Sequence, residues 1–206
     1  MEESGMLATL LKPLAEGKLS LDWGCLDRLN EAREGSLAIS RLSLVLERTT
    51  AAAPNELLAW SRQQKLSGSE QKELCAKSQA ARLVLEALEK ERAITPLEAR
   101  RLVARAGRQW LGDGVRIARA TFDRKKGSVE DDLELLVAES KTTAATERSE
   151  LRVTGGELIS EGLLKKGPEV GQALDYLVEQ TLEQPEANEP KRLRSLASEW
   201  ARHRST

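Results

Sequence analysis

The chain has 206 residues, room for one large domain or two small ones at roughly 100–200 residues per domain. Hydrophobic residues at 40% and charged residues at 32% fit a folded chain with long exposed helices, and scarce aromatics (3%) beside abundant Leu, Ala, Glu and Arg favour helix over sheet. A formal net charge of −1 excludes a global field that would draw the chain onto nucleic acid or an anionic membrane, so any such binding is local.

No apolar run approaches the roughly 20 residues that span a bilayer, and "MEESGMLATLLKP" lacks the basic start of a signal peptide. A cytoplasmic protein without a membrane partner is expected. Cys25 and Cys75 are far apart, without CxxC spacing, and are expected to be buried free thiols.

In chain order, Ser20 caps a helix with Leu21, Leu26 and Leu29 at helical spacing, and Gly35 ends it. The stretch from Ser36 to Arg48 reads as a helix buried on most sides. Pro54 opens a helix through Leu57, Leu58 and Trp60. Ser67 and Glu70 have capping-box spacing ahead of a long helix with Leu74, Leu83, Leu85 and Leu88. Thr95, Pro96 and Glu98 form another such start, and Gly107 is placed to stop that helix.

A further helix is expected from about Gly114 to Lys126, and then one whose first turn carries Glu130, Asp131 and Asp132, where acids complement the helix dipole. After the polar stretch "SKTTAATERSE" the pattern changes to short helices punctuated by Gly and Pro. The reading is all-α, an irregular multi-helix array, with regions 1–145 and 146–206. Nothing reads as a strand.

Absent residues exclude much chemistry. His203 is the only histidine, three residues from the end, so neither a His-based triad nor a histidine metal site can be assembled. Neither GxxxxGK[ST] nor a strand followed by GxGxxG occurs. "GSVEDD" (Gly127 to Asp132) holds a Gly-Ser and two carboxylates, the ingredients of a metal-dependent nucleotidyl-transfer site. However, Asp131 and Asp132 are adjacent and at a helix start, whereas such a site needs Asp-x-Asp on a strand. No catalytic residue and no metal ligand is assigned.

The positive signal is local charge. Residues 100–126 carry Arg100, Arg101, Arg105, Arg108, Arg116, Arg119, Arg124, Lys125 and Lys126 against Asp113 and Asp123. Arg101, Arg105 and Arg108 follow i, i+4, i+7 spacing opposite Leu102, Val103, Ala106 and Trp110, which predicts a row of guanidiniums suited to phosphate. The alternative is a solvated face, or pairing with the seven acids within 127–150. A second basic segment (Lys191, Arg192, Arg194, Arg202 and Arg204) surrounds Trp200, whose spacing with Leu193, Leu196 and Ala197 fits core better than base stacking.

From Leu151 to Ala197 the sequence resembles the C-terminal signature of bacterial CCA-adding enzymes of the poly(A) polymerase family. Matching positions are Gly155, Leu158, Ile159, Gly162, Gly167, Pro168, Glu169, Val170, Gly171, Leu174, Leu177 and Asn188; Glu157 departs, since the family usually has Asp there. Read for structure, Pro168 starts a helix, Glu169 complements its dipole and Gly171 permits close approach. Upstream, "RLSLVLERT" (Arg41 to Thr49), "RQQKLSGSEQKEL" (Arg62 to Leu74) and "EARRLVARAGRQWLGDGVRIARA" (Glu98 to Ala120) are similar to further family segments, although the His-Asp that often follows the first is missing.

The resemblance implies neck, body and tail helices that hold tRNA, with metal-binding aspartates in a separate head domain. It thus implies a noncatalytic tRNA-binding and positioning chain, with no cofactor of its own and with Mg²⁺ in the head. Its partners would be tRNA and a head in cis or trans. The chain is then a fragment, one subunit of a split enzyme, or a degenerate paralogue. The expected RNA contacts are Arg100, Arg101, Arg105, Arg108, Arg116, Arg119, Lys125, Lys126, Lys165, Lys166, Lys191, Arg192 and Arg194. The rival reading is a helical protein–protein interaction module.

Overall fold

The computed structural model describes residues 54–90, 92–121 and 127–204. Eight α-helices lie among them: α1 (Pro54–Gln63), α2 (Gly68–Leu88), α3 (Pro96–Ala106), α4 (Arg108–Thr121), α5 (Gly127–Glu139), α6 (Gly155–Ser160), α7 (Glu169–Glu183) and α8 (Pro190–Arg204). Two 3₁₀ turns, Arg148–Glu150 and Pro185–Ala187, complete the regular structure, and no strand occurs among the described residues. The all-α reading holds. Expectations for Ser20 to Arg48, for Cys25 and for Arg124, Lys125 and Lys126 lie outside the described residues.

The caps form as their residue types dictate. Ser67 Oγ accepts the Glu70 amide (3.3 Å) and the Glu70 carboxylate accepts the Ser67 amide (2.7 Å), so two donors without intrahelical partners are satisfied at the start of α2. Thr95 and Glu98 do the same for α3, at 3.3 and 3.0 Å. Gly107, at φ +80°, ends α3, and its carbonyl accepts the Trp110 and Leu111 amides as α4 begins. This break corrects the expected single arginine row: Arg108 and Trp110 belong to α4, one helix later than Arg101, Arg105, Leu102 and Ala106.

The chain divides into two compact units, one of residues 1–94 and 106–137 and one of residues 95–105 and 138–206. In the first, α2 packs against α1 and, more extensively, α4. The α2–α4 approach is close because Gly114 faces Ala80: a Cβ on Gly114 would lie 2.8 Å from the Ala80 carbonyl carbon. Leu74, Val84, Leu111 and Ile117 are almost wholly buried, each worth roughly 1.5–3 kcal/mol of burial. Beside that contact Lys77, 2% exposed, is neutralised by Glu73 (2.7 Å) and Asp113 (3.4 Å), the pairing a buried ammonium requires. The expectation of buried thiols is corrected for Cys75, which is half-buried, its pKa raised by the desolvation it does undergo.

The second unit joins Thr95–Arg105 to residues 138–206. Its core is built on Leu158, Leu164, Leu177, Leu193 and Leu196, with Trp200 and Tyr176 partly buried against it. Trp200 is therefore packing, as its spacing indicated. α6 is one and a half turns long and is held by both ends. Thr154 and Glu157 make a capping box (3.2 and 2.6 Å). At the other end Gly162, at φ +73°, closes a Schellman turn in which its amide reaches the Ile159 carbonyl and the Leu163 amide reaches Leu158. Glu in place of the family's usual Asp at 157 suits this role, since the longer side chain reaches back to the N-cap amide.

Candidate nucleic-acid interface

The loop from Ser140 to Val153 is fixed to the second unit by two buried polar side chains. Thr181 Oγ1 accepts the Ala145 amide at 3.0 Å. Asn188 donates to the carbonyls of Thr143 (2.9 Å) and Glu150 (3.1 Å) while accepting the Arg152 amide (3.1 Å), so three backbone groups of an irregular segment are satisfied at once. That arrangement presents Arg148 and Arg152 outward. Arg148 makes two parallel hydrogen bonds to Asp175, both 2.6 Å, and lies over the first turn of α7, where a Cβ on Gly171 would come within 3.3 Å of its guanidinium. The Asp175 carboxyl is held below the usual range by that guanidinium.

The cations named from the sequence fall into distinct groups. Arg100 is drawn inside the second unit. Its Nη1 pairs with Glu139 at 2.9 Å and its Nε donates to the Leu182 carbonyl at 2.5 Å, so it caps the negative C-terminal end of α7. Arg101, on the exposed side of α3, pairs with Glu179 and lies 3.7 Å from Glu183. Arg116 pairs with Asp113 and Arg119 with Glu130, whereas Arg194 holds Glu161 at 2.7 Å. Arg108 is half-buried. Lys125 and Lys126 are outside the described residues.

Arg105, Lys165, Lys166, Lys191 and Arg192 are exposed and pair with no acid among the described residues. All five belong to the second unit. Lys165 and Lys166 lie in the connection from α6 to α7, four and five residues beyond Glu161, and Lys191 lies one helical turn before Arg194. The Glu161–Arg194 ion pair therefore brings the two lysine-bearing segments to the same part of the unit.

Asp131 and Asp132 do not fit a two-carboxylate metal site. They are neighbours on α5, about 100° apart around the helix, and Asp132 accepts the Ile94 amide at 2.9 Å. Among the described residues no group of three or more His, Cys, Asp or Glu side chains could hold a metal ion, and no helix is long and apolar enough to cross a membrane.

Sequence reading missed the Thr154–Glu157 box, although Thr-x-x-Glu before Leu158 was its signal. It also left Asn188 without a role. Nothing local could have supplied that role, because the groups Asn188 serves lie 36–45 residues away.

Helices, caps and an arginine-rich surface together define an all-α, multi-helix protein. Comparison with family models is more specific: the model of tRNA nucleotidyltransferase domain 2 matches residues 31–197, and the chain belongs to that family. The match agrees with the C-terminal region of the CCA-adding and poly(A) polymerase enzymes. No curated protein and no solved structure matches the chain.

Proposed function

We propose that the chain is the noncatalytic tRNA-binding and positioning part of a CCA-adding tRNA nucleotidyltransferase, acting in tRNA 3′-end processing with a head domain in cis or in trans. The observation that carries the reading is the set of exposed cations that pair with no acid among the described residues, Arg105, Lys165, Lys166, Lys191 and Arg192, in a chain of a tRNA nucleotidyltransferase family. Phosphate neutralisation by such side chains needs no net positive charge on the whole molecule, only a local excess. Arg101 and Arg194, in the same unit, extend the set as charges already balanced by carboxylates.

The contribution to chemistry is orientation. A tRNA held so that its 3′ end meets a nucleotidyltransferase site converts a bimolecular encounter into a positioned one, worth several kcal/mol of a barrier. Mg²⁺ belongs with the head's aspartates, and the whole works in the cytoplasm, where tRNA is matured.

The test is a salt titration of tRNA binding by the pure chain. Five phosphate contacts give a slope of log affinity against log salt of about −4. Flat dependence, or no binding at low salt, overturns the reading in favour of a protein–protein module. The same protein, given tRNA ending before CCA, labelled CTP and ATP, and Mg²⁺ or Mn²⁺, should leave the RNA unextended.

A further inference from the structure

Arg101 and Arg105 stand one turn apart on the exposed side of α3, where two guanidiniums at i and i+4 make a seat for an anion. The two are in opposite states. Arg105 has no acid partner among the described residues, whereas Arg101 gives both Nε and Nη2 to Glu179 Oε1 and has Glu183 Oε1 3.7 Å from Nη2. Glu179 and Glu183 are themselves one turn apart on α7, so two carboxylates stand where an anion's oxygens would approach Arg101. All three side chains remain between 43% and 46% exposed, which leaves their ion pairs open to water and to exchange.

Arg100, one residue away, shows the contrasting design. Its pair with Glu139 is about nine-tenths buried and two of its nitrogens reach backbone carbonyls, so it is fixed in place. The Arg101 contact has none of those anchors. A carboxylate binds one guanidinium edge with a single negative charge, and an RNA phosphate offers the same two-oxygen geometry.

We propose that Glu179 and Glu183 are an internal phosphate mimic: they occupy Arg101 in the free protein and are displaced by an RNA phosphate that first engages Arg105. The inference rests on the tRNA-binding reading and adds regulation to it. Displacement is favoured for a polyanion that contacts several cations together, because the attraction it gathers elsewhere on the unit offsets the lost carboxylate pairing. A free nucleotide or a lone phosphate gathers too little to open the seat. The acids thereby suppress capture of small cellular anions.

The experiment is a double-mutant cycle on the full chain, read as affinity for an unmodified tRNA transcript at fixed salt. E179Q/E183Q should tighten binding about two- to fivefold, the range that release of an exposed ion pair supports. In the R101Q background the same pair of substitutions should leave affinity unchanged. A gain of equal size in both backgrounds would mean that only net charge matters, and no gain in either would leave the acids without a role. Either result overturns the proposal.

Melting temperature separates binding from folding, and E183Q alone is the milder variant should the double substitution unfold the protein. A wild-type chain that binds no tRNA fails the functional reading itself. A wild-type chain that binds, with no tightening in E179Q/E183Q, fails the mimic alone.

Discussion

Gly155 and Val170 touch so closely that no side chain fits between them: a Cβ on Gly155 would lie 2.6 Å from Val170 Cγ1 and 3.5 Å from Leu174 Cδ1. Two residues that the family resemblance singled out are thus complementary halves of one packing contact between α6 and α7. Gly155→Ala forces α6 away or Val170 off its rotamer and should destabilise the protein by about 1–3 kcal/mol. Thermal melting checks it, and Gly155→Ala combined with Val170→Ala should recover part of the loss.

Asn188 is the second structural hinge-pin, through its three bonds to backbone. Asn188→Leu keeps the branched shape but orphans two carbonyls and an amide in a site only 6% exposed. A loss of about 2–4 kcal/mol is expected, since each unsatisfied buried group costs about 1–3 kcal/mol and some regain water. Hydrogen exchange should show the loop of residues 140–153 opening before the rest of the unit.

Arg100 and Arg105 should behave oppositely under the same substitution. Arg100→Gln removes the cap of α7 and one partner of a nearly buried ion pair, and should lower the melting temperature with a destabilisation of about 2–4 kcal/mol. Arg105→Gln should leave melting unchanged, weaken tRNA binding and reduce the salt slope by about one. Paired melting and binding curves distinguish the two.

Acid should loosen the caps and the Arg148 contact together. Glu157 is depressed by the Thr154 amide and then its hydroxyl, Glu70 by the Ser67 hydroxyl and then its amide, and Asp175 by the Arg148 guanidinium. Each folded-state pKa lies below its unfolded value, so on acidification the unfolded chain takes up protons first. The stability these groups contribute is present above the ordinary carboxylate range and is lost as pH falls through the depressed values. The melting temperature should therefore drop below about pH 4, and less steeply in Glu157→Gln.

Lys65 ends α1 at φ +58° in a Schellman turn, its amide on the Arg62 carbonyl and the Leu66 amide on Ser61. Glycine is the residue for that conformation, so Lys65→Gly should stabilise the chain by up to about 1 kcal/mol, seen as a small rise in melting temperature.

The features legible in the sequence are those that a few neighbouring residues decide. Ser67 with Glu70 and Thr95 with Glu98 cap as their spacing dictates, and Gly107 stops α3, because each outcome rests on local backbone chemistry. The expected arginine row failed at the same glycine: periodicity carried it across Gly107 to Arg108, although the left-handed residue starts a new helix there. The state of each cation was also out of reach. Arg101 meets Glu179 across 78 residues, and no local pattern distinguishes it from Arg105, which meets no acid among the described residues.

The separation between Arg100 and Leu182 sets an order of events during synthesis. The two are 82 residues apart, and at about 5–20 residues per second a ribosome takes roughly 4–16 s to bring out the second after the first. For most of that interval α3 has emerged without the carbonyl that Arg100 caps and without the acids that neutralise Arg101, so Arg101 faces solvent without its carboxylate partners. A nascent chain paused at that stage carries the Arg101 charge unbalanced, whereas in the finished protein Glu179 and Glu183 offset it.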